Sequence, residues 1–133
     1  MRTREDIEAY LSRSNHPHKE VAEDTWLVSD PSDARDNIVV RVTDGLVIFR
    51  LKVLELEKVS GDRRSALYEN LLRFNAEDMV HGAYGIVNGD LVMVATLRLE
   101  NLDYNEFSGT LDDFAIALTK HHPQLRELIA EGA

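Results

Sequence analysis

Cysteine is absent from the 133 residues. That removes disulfides, thiolate nucleophiles and cysteine-ligated zinc, and it suits a reducing compartment. Long apolar runs are missing too. The greasiest segment, residues 46–56, is broken by Arg50, Lys52 and Glu55, far short of the roughly 18 consecutive apolar residues of a spanning helix. Met1-Arg2-Thr3-Arg4-Glu5-Asp6 has no apolar stretch behind it, so a secretory signal is not expected and a cytoplasmic location is. Positive charge is scarce: 15 Lys and Arg against 24 Asp and Glu leave a net charge of −9. That balance disfavours nucleic acid and anionic membranes as partners, since both need clustered cations.

What is present is the composition of a globular protein, 44% apolar and 29% charged, at a length that suits a single domain over 1–133. Residues 4–14 read as a helix with Thr3 as N-cap and acidic residues in its first turn. Asn15-His16-Pro17 ends it. Strands are expected over 25–29, 37–43 and 46–55, a helix over 63–74, strands over 80–87 and 91–99, and a helix through Phe107, Leu111, Phe114 and Leu118. Pro123 is expected to interrupt that last helix, with Leu125, Leu128 and Ile129 adding a turn or two. The order is α-β-β-β-α-β-β-α, an α+β fold with helices packed on an antiparallel sheet.

Asp44-Gly45 and Asn88-Gly89 are two-residue hairpin signals, and they fix register. Around the first, Val42 faces Val47, Val40 faces Phe49 and Ile38 faces Leu51, an all-apolar core face. The other side carries Leu46, Ile48 and Val39 together with a basic strip, Arg41, Arg50 and Lys52. Around the second, Ile86, Tyr84, Gly82 and Val80 pair with Leu91, Met93, Ala95 and Leu97 on the core side. The opposite side pairs Gly85 with Val92, Ala83 with Val94 and His81 with Thr96. Small residues beside two valines make this outer side more apolar than a solvated face. Either a partner covers it, or helix three or the Pro123 tail folds over it.

Candidate chemistry is thin. His16-Pro17-His18 has metal-pair spacing with Glu20, Glu23 and Asp24 nearby, but a loop fixes no geometry and a solvated loop is the better reading. His121-His122-Pro123 suits the negative end of a helix. His81, mid-strand beside Gly82, shows no carboxylate partner, so an interface hydrogen bond is favoured over general-base work. Ser60-Gly61-Asp62 and Asn88-Gly89-Asp90 lack the spacing of phosphate or calcium loops. Glu100, Asp103, Glu106, Asp112 and Asp113 fit a solvated helix N-terminus. No catalytic, cofactor-binding or metal residue is assigned. The enzymatic alternative would use His16, His18 and His81 around a metal or small ligand.

Four segments carry a family resemblance: Val47-Ile48-Phe49-Arg50-Leu51-Lys52-Val53; Leu67-Tyr68-Glu69-Asn70-Leu71-Leu72-Arg73-Phe74-Asn75; His81-Gly82-Ala83-Tyr84-Gly85-Ile86; and Leu97-Arg98-Leu99-Glu100-Asn101-Leu102-Asp103. Over about residues 5–118 the chain resembles the YbjN-like family, with the type III secretion chaperone-like (Tir-chaperone-like) fold. The resemblance implies a homodimer built around helix two and its neighbouring strand, which points to Leu67, Leu71, Ala83 and Gly85. It also implies a protein or peptide client wrapped along apolar surface of helix one and the outer strands. With the sheet registers, the expected dimer or partner surface is Leu67, Leu71, His81, Ala83, Gly85, Val92 and Val94, with Arg41, Arg50 and Lys52 beside it. The expected function is non-enzymatic, chaperone-like protein binding. The alternative is a regulator that binds a folded partner through the basic strip.

Overall fold

Asp44 and Gly45 sit at φ 51° and 76°, Asn88 and Gly89 at 51° and 81°. Two successive positive φ values match the twist of the strands they join. The registers that follow are those the sequence implies: Val42 faces Val47, Val40 faces Phe49, Ile38 faces Leu51, Tyr84 faces Met93 and Gly85 faces Val92.

The structure, a computed structural model, describes residues 3–30 and 33–131. The elements are α1 (Arg4–Arg13), β1 (His18–Ala22), β2 (Thr25–Asp30), β3 (Asp33–Thr43), β4 (Leu46–Glu55), a 3-10 turn (Leu56–Lys58), α2 (Gly61–Glu77), β5 (Ala83–Val87), β6 (Asp90–Arg98) and α3 (Tyr104–Glu131). All strand pairs are antiparallel, in the order β1-β2-β3-β4-β6-β5. The α+β class is as expected. Asp30-Pro31-Ser32-Asp33 reads as a turn from its residue types, and its two central residues lie outside the described ones. No helix among them is long and apolar enough to cross a membrane.

Three features differ from the sequence reading. First, His18–Ala22 is a strand, not a loop, and every residue in it is exposed. It has no apolar alternation to announce it. It is held by pairing with β2 and by the Arg4 guanidinium, which donates to Asp24 (2.6 Å) and Glu20 (2.8 Å). Second, α3 runs through Pro123 instead of stopping there. The proline removes one backbone donor, but Leu125 beyond it is buried in the core and His121 before it is fully buried. Tertiary anchoring on both sides outweighs the local break. Third, β5 starts at Ala83, so Val80, His81 and Gly82 leave the ladder and the expected pairs His81–Thr96, Gly82–Ala95 and Val80–Leu97 do not form.

All three helices bury their apolar stripes on one face of the sheet. Phe49, central on β4, packs against Phe107 (5.4 Å between ring centres) and Phe114 (6.4 Å) of α3. Tyr10 of α1 packs on Phe107 (5.6 Å), and Phe74 of α2 on Tyr84 (6.1 Å). Trp26, Val28, Val40 and Met93 complete this core.

Gly82 explains where β5 begins. At φ 85° it adopts a conformation L residues avoid, and a Cβ there would lie 2.5 Å from the Val94 carbonyl oxygen. Gly82→Ala should therefore cost more than about 1 kcal/mol in urea denaturation. Gly45→Ala, at φ 76° but with open space around it, should cost clearly less, because only backbone strain is added. Equal losses would show that the Val94 contact does not matter.

Candidate protein-docking surfaces

The side of the sheet turned away from the helices presents rows of residues from successive strands. One row runs Lys19, Leu27, Val39, Arg50, Val94, Ala83 from β1 to β5; the next runs Thr25, Arg41, Ile48, Thr96; a third holds Thr43, Leu46, Arg98. Leu27, Val39, Leu46, Ile48 and Val94 are half-buried, and Lys19, Arg41, Arg50 and Arg98 are exposed. At its β1 side the face dips into an open cleft lined by Pro17, His18, Lys19, Leu27, Ser29 and Asn37.

The strip expected from sequence divides. Arg41 and Arg50 are exposed. Lys52 is engaged, donating to Glu55 (3.0 Å) and lying 3.8 Å from Asp90. The Glu55 carboxyl is held below its ordinary range by that hydrogen bond. Lys52 faces Val92 in register and its ammonium reaches the next outward residue of β6. Val92 is only 3% exposed although it points away from the core. Lys19 and Arg98 join this face through the β1–β2 and β4–β6 ladders, pairings that no turn signal in the sequence announces.

Ala83, Gly85 and Val94 lie on this outer side, each half-buried. Leu67 and Leu71 do not. Both are buried in the subunit's own core, so the outward role expected for them is corrected: α2 turns these leucines to the sheet. Around them the exposed large apolar side chains are Leu72 on α2 (68%), Val80 in the loop before β5 (78%), Ile86 on β5 (53%) and Ile116 on α3 (65%). The hairpin register gave Val80 and Ile86 to the core, because periodicity marks apolar positions without telling which find a cover. The β5 edge is partly closed. The Asn75 side chain accepts from the Tyr84 N–H (2.7 Å) and donates to its carbonyl (3.2 Å), standing in for a neighbouring strand.

The histidines separate. His16 and His18 donate locally, to the carbonyl oxygens of Ser29 (3.1 Å) and His16 (2.9 Å). His81 meets Asp113 of α3, a carboxylate partner the sequence did not reveal because the two lie 32 residues apart. Strands β1 and β5 are opposite edges of the six-stranded sheet, about 24 Å apart at ~4.8 Å per strand. A single pocket uniting His16, His18 and His81 is excluded by that spacing. No group of three or more metal-capable side chains occurs among the described residues. His121 is not a helix-end residue but a buried link. It stacks on Phe74 (3.8 Å, 5° between planes). It accepts from the Tyr84 hydroxyl at Nδ1 (2.7 Å) and donates from Nε2 to Asp78 (2.8 Å), the tautomer that the carboxylate acceptor requires.

The sequence pattern of the CesT_Tir_1 family matches residues 1–131. The chain belongs to the CesT_Tir_1 family. No match is found among curated proteins. Among solved structures, this CesT_Tir_1 chain is similar to YbjN from E. coli, with a TM-score of 0.64 and 11% identity over 92% of this chain and 93% of that one. It is equally similar to a chain of the heterodimeric ExoU–SpcU complex from the type III secretion system of Pseudomonas aeruginosa, with a TM-score of 0.64 and 19% identity over 92% and 96%. A chain of the HopA1–SchA chaperone–effector complex gives a TM-score of 0.61 at 8% identity over 88% and 93%. The fold is the type III secretion chaperone-like fold.

In this CesT_Tir_1 chain the loop from Asp78 to Gly82 is tied to α3 at two points, Asp78 to His121 and Lys120 (2.8 and 3.0 Å) and His81 to Asp113. Hydrogen bonds from His121 and then Lys120 lower the Asp78 pKa, while burial raises that of the Tyr84 phenol. A carboxyl whose folded-state pKa is depressed stabilises the fold above its unfolded value and loses that contribution as pH falls through the folded one. Asp78→Asn should therefore lower stability at neutral pH and flatten its decline on acidification below the ordinary carboxylate range, measured by urea denaturation at stepped pH. Parallel acid profiles for both proteins would assign the acid sensitivity elsewhere.

Proposed function

We propose that this protein is a chaperone-like, non-enzymatic binding module that works as a homodimer and captures a partner polypeptide. The observation that carries the reading is the outer sheet face. Half-buried Leu27, Val39, Leu46, Ile48 and Val94 lie there on the side opposite the helices' buried stripes. Partly exposed aliphatic side chains on several adjacent strands, interleaved with cations, support an interaction surface there. The family supports the reading, and so do the solved relatives: SpcU-type and SchA-type chains were captured in complexes with partner proteins. The ExsC–ExsE complex, similar at 14% identity with a TM-score of 0.60, is a third.

The proposed dimer contact is the α2–β5 end, a reading supported by the exposure of Leu72, Val80, Ile86 and Ile116. Burying one such side chain is worth roughly 1.5–3 kcal/mol, so several together can drive association of two copies. This arrangement keeps Ala83, Gly85, Val92 and Val94 on the outer face beside the partner. A regulatory role through a folded partner is the second reading, favoured by exposed Arg41 and Arg50 and by the relative YbjN, described as a candidate transcription regulator. The net charge of −9 makes protein, not DNA, the object of such regulation.

Light scattering on a sizing column should report a dimer, and Leu72→Glu with Val80→Glu should yield a folded monomer. Reduced, carboxymethylated α-lactalbumin, a permanently unfolded chain, should bind and shift methyl resonances of Leu27, Val39, Ile48 and Val94. A monomeric wild-type protein removes the dimer. Absence of any shift on the outer face removes the capture role.

A further inference from the structure

Charge is distributed unevenly over this acidic protein. Among the described residues the outer face holds five cations, Lys19, Arg41, Arg50, Lys52 and Arg98, against two carboxylates, Glu55 and Asp90. The chain as a whole carries −9. Both carboxylates lie at one end of β4 and β6 and are occupied by Lys52. Lys19, Arg41, Arg50 and Arg98 have no ion-pair partner among the described residues. Each arginine is set among aliphatic neighbours: Arg41 faces Ile48, Arg50 lies between Val39 and Val94, and Arg98 faces Leu46. Four unbalanced cations on one surface repel one another. Their potential is complementary to a partner that brings carboxylates.

We infer that this face docks an acidic, aliphatic polypeptide segment, with carboxylates over Arg41, Arg50 and Arg98 and apolar side chains over Val39, Ile48 and Val94. The inference rests on the protein-binding reading above and gives it a partner chemistry. A second copy is a poor occupant. A two-fold contact through this face brings the arginine rows of both copies together, and the only carboxylates available are already bound to Lys52. Single-stranded nucleic acid needs aromatic platforms between its cations, and the outward residues of all six strands that are described include no Phe, Tyr or Trp. A lipid surface needs protruding apolar or aromatic side chains to insert, whereas the aliphatic residues here are half-buried between longer cations.

The test uses fluorescein-labelled peptides of equal length built from Leu and Ala with Glu, Gln or Lys, read by anisotropy at low and high salt. Oligo(dT) and phosphatidylserine vesicles run in parallel. The Glu peptide should bind at least about tenfold more tightly than the Gln peptide at low salt. High salt should erase that difference. Arg41→Glu with Arg50→Glu should remove the Glu preference, so that the Glu peptide binds no more tightly than the Gln peptide. Equal affinity for Glu and Gln peptides, or tighter binding of the Lys peptide, overturns the acidic assignment yet leaves protein binding standing. Binding of oligo(dT) or vesicles as tight as the Glu peptide, lost in the same double variant, overturns it in favour of those partners. Failure of every peptide overturns both this inference and the binding reading beneath it.

Discussion

Phe49 wedged between Phe107 and Phe114 is the contact on which the architecture turns. It fixes α3, the longest helix, across the middle of the sheet, and α1 and α2 then flank it through Tyr10 and Phe74. With the buried stripes of all three helices on one side, no element among the described residues lies over the other. A six-stranded sheet roofed once is an unbalanced sandwich, since domains are stable when each apolar face meets another layer. The outer face answers in part by mixing long cations with its aliphatic residues. Lys52, opposite Val92 in register, has its ammonium held by Glu55 and Asp90.

Local signals made much of the fold legible. The two hairpins were set by Asp44-Gly45 and Asn88-Gly89, whose side-chain registers appear in the structure pair for pair over the formed ladders. What escaped was long-range or unpatterned. β1 is a strand of His, Lys, Glu, Val and Ala with no buried side, and only its pairing with β2 and the Arg4 clasp define it. The placement of β6 between β4 and β5 has no turn to announce it, and so Arg98 could not be assigned to the basic strip. Pro123 read as a stop because the anchors on either side of it, His121 and Leu125, act through tertiary contacts.

The docking surfaces were half legible for a related reason. Ala83, Gly85, Val92 and Val94 were assigned to the outer face from register alone, and that side is where they lie. Leu67 and Leu71 were assigned outward through the family resemblance and prove to be core, while Leu72, one residue along the same helix, is the exposed one. Within a helix, neighbouring leucines differ by 100° of rotation, so one residue of error exchanges inside for outside. His81 found its carboxylate on α3 and His121 found two partners at once, contacts that only the folding of α2 and α3 against each other creates.

The two margins of the sheet are guarded by different means. At β5 the Asn75 amide occupies the backbone groups of Tyr84. At β1 a register irregularity between Glu20 and Ala22 bends the strand, and Lys19 and Glu20 charge it. Bulges and charged side chains are how sheets discourage unwanted strand-to-strand extension. A molecule that offers a broad oily flank would otherwise invite its neighbours to zip onto it in endless ribbons. With both borders partly blocked in this way, such edge-to-edge growth is discouraged while the flank itself stays uncovered by the described helices.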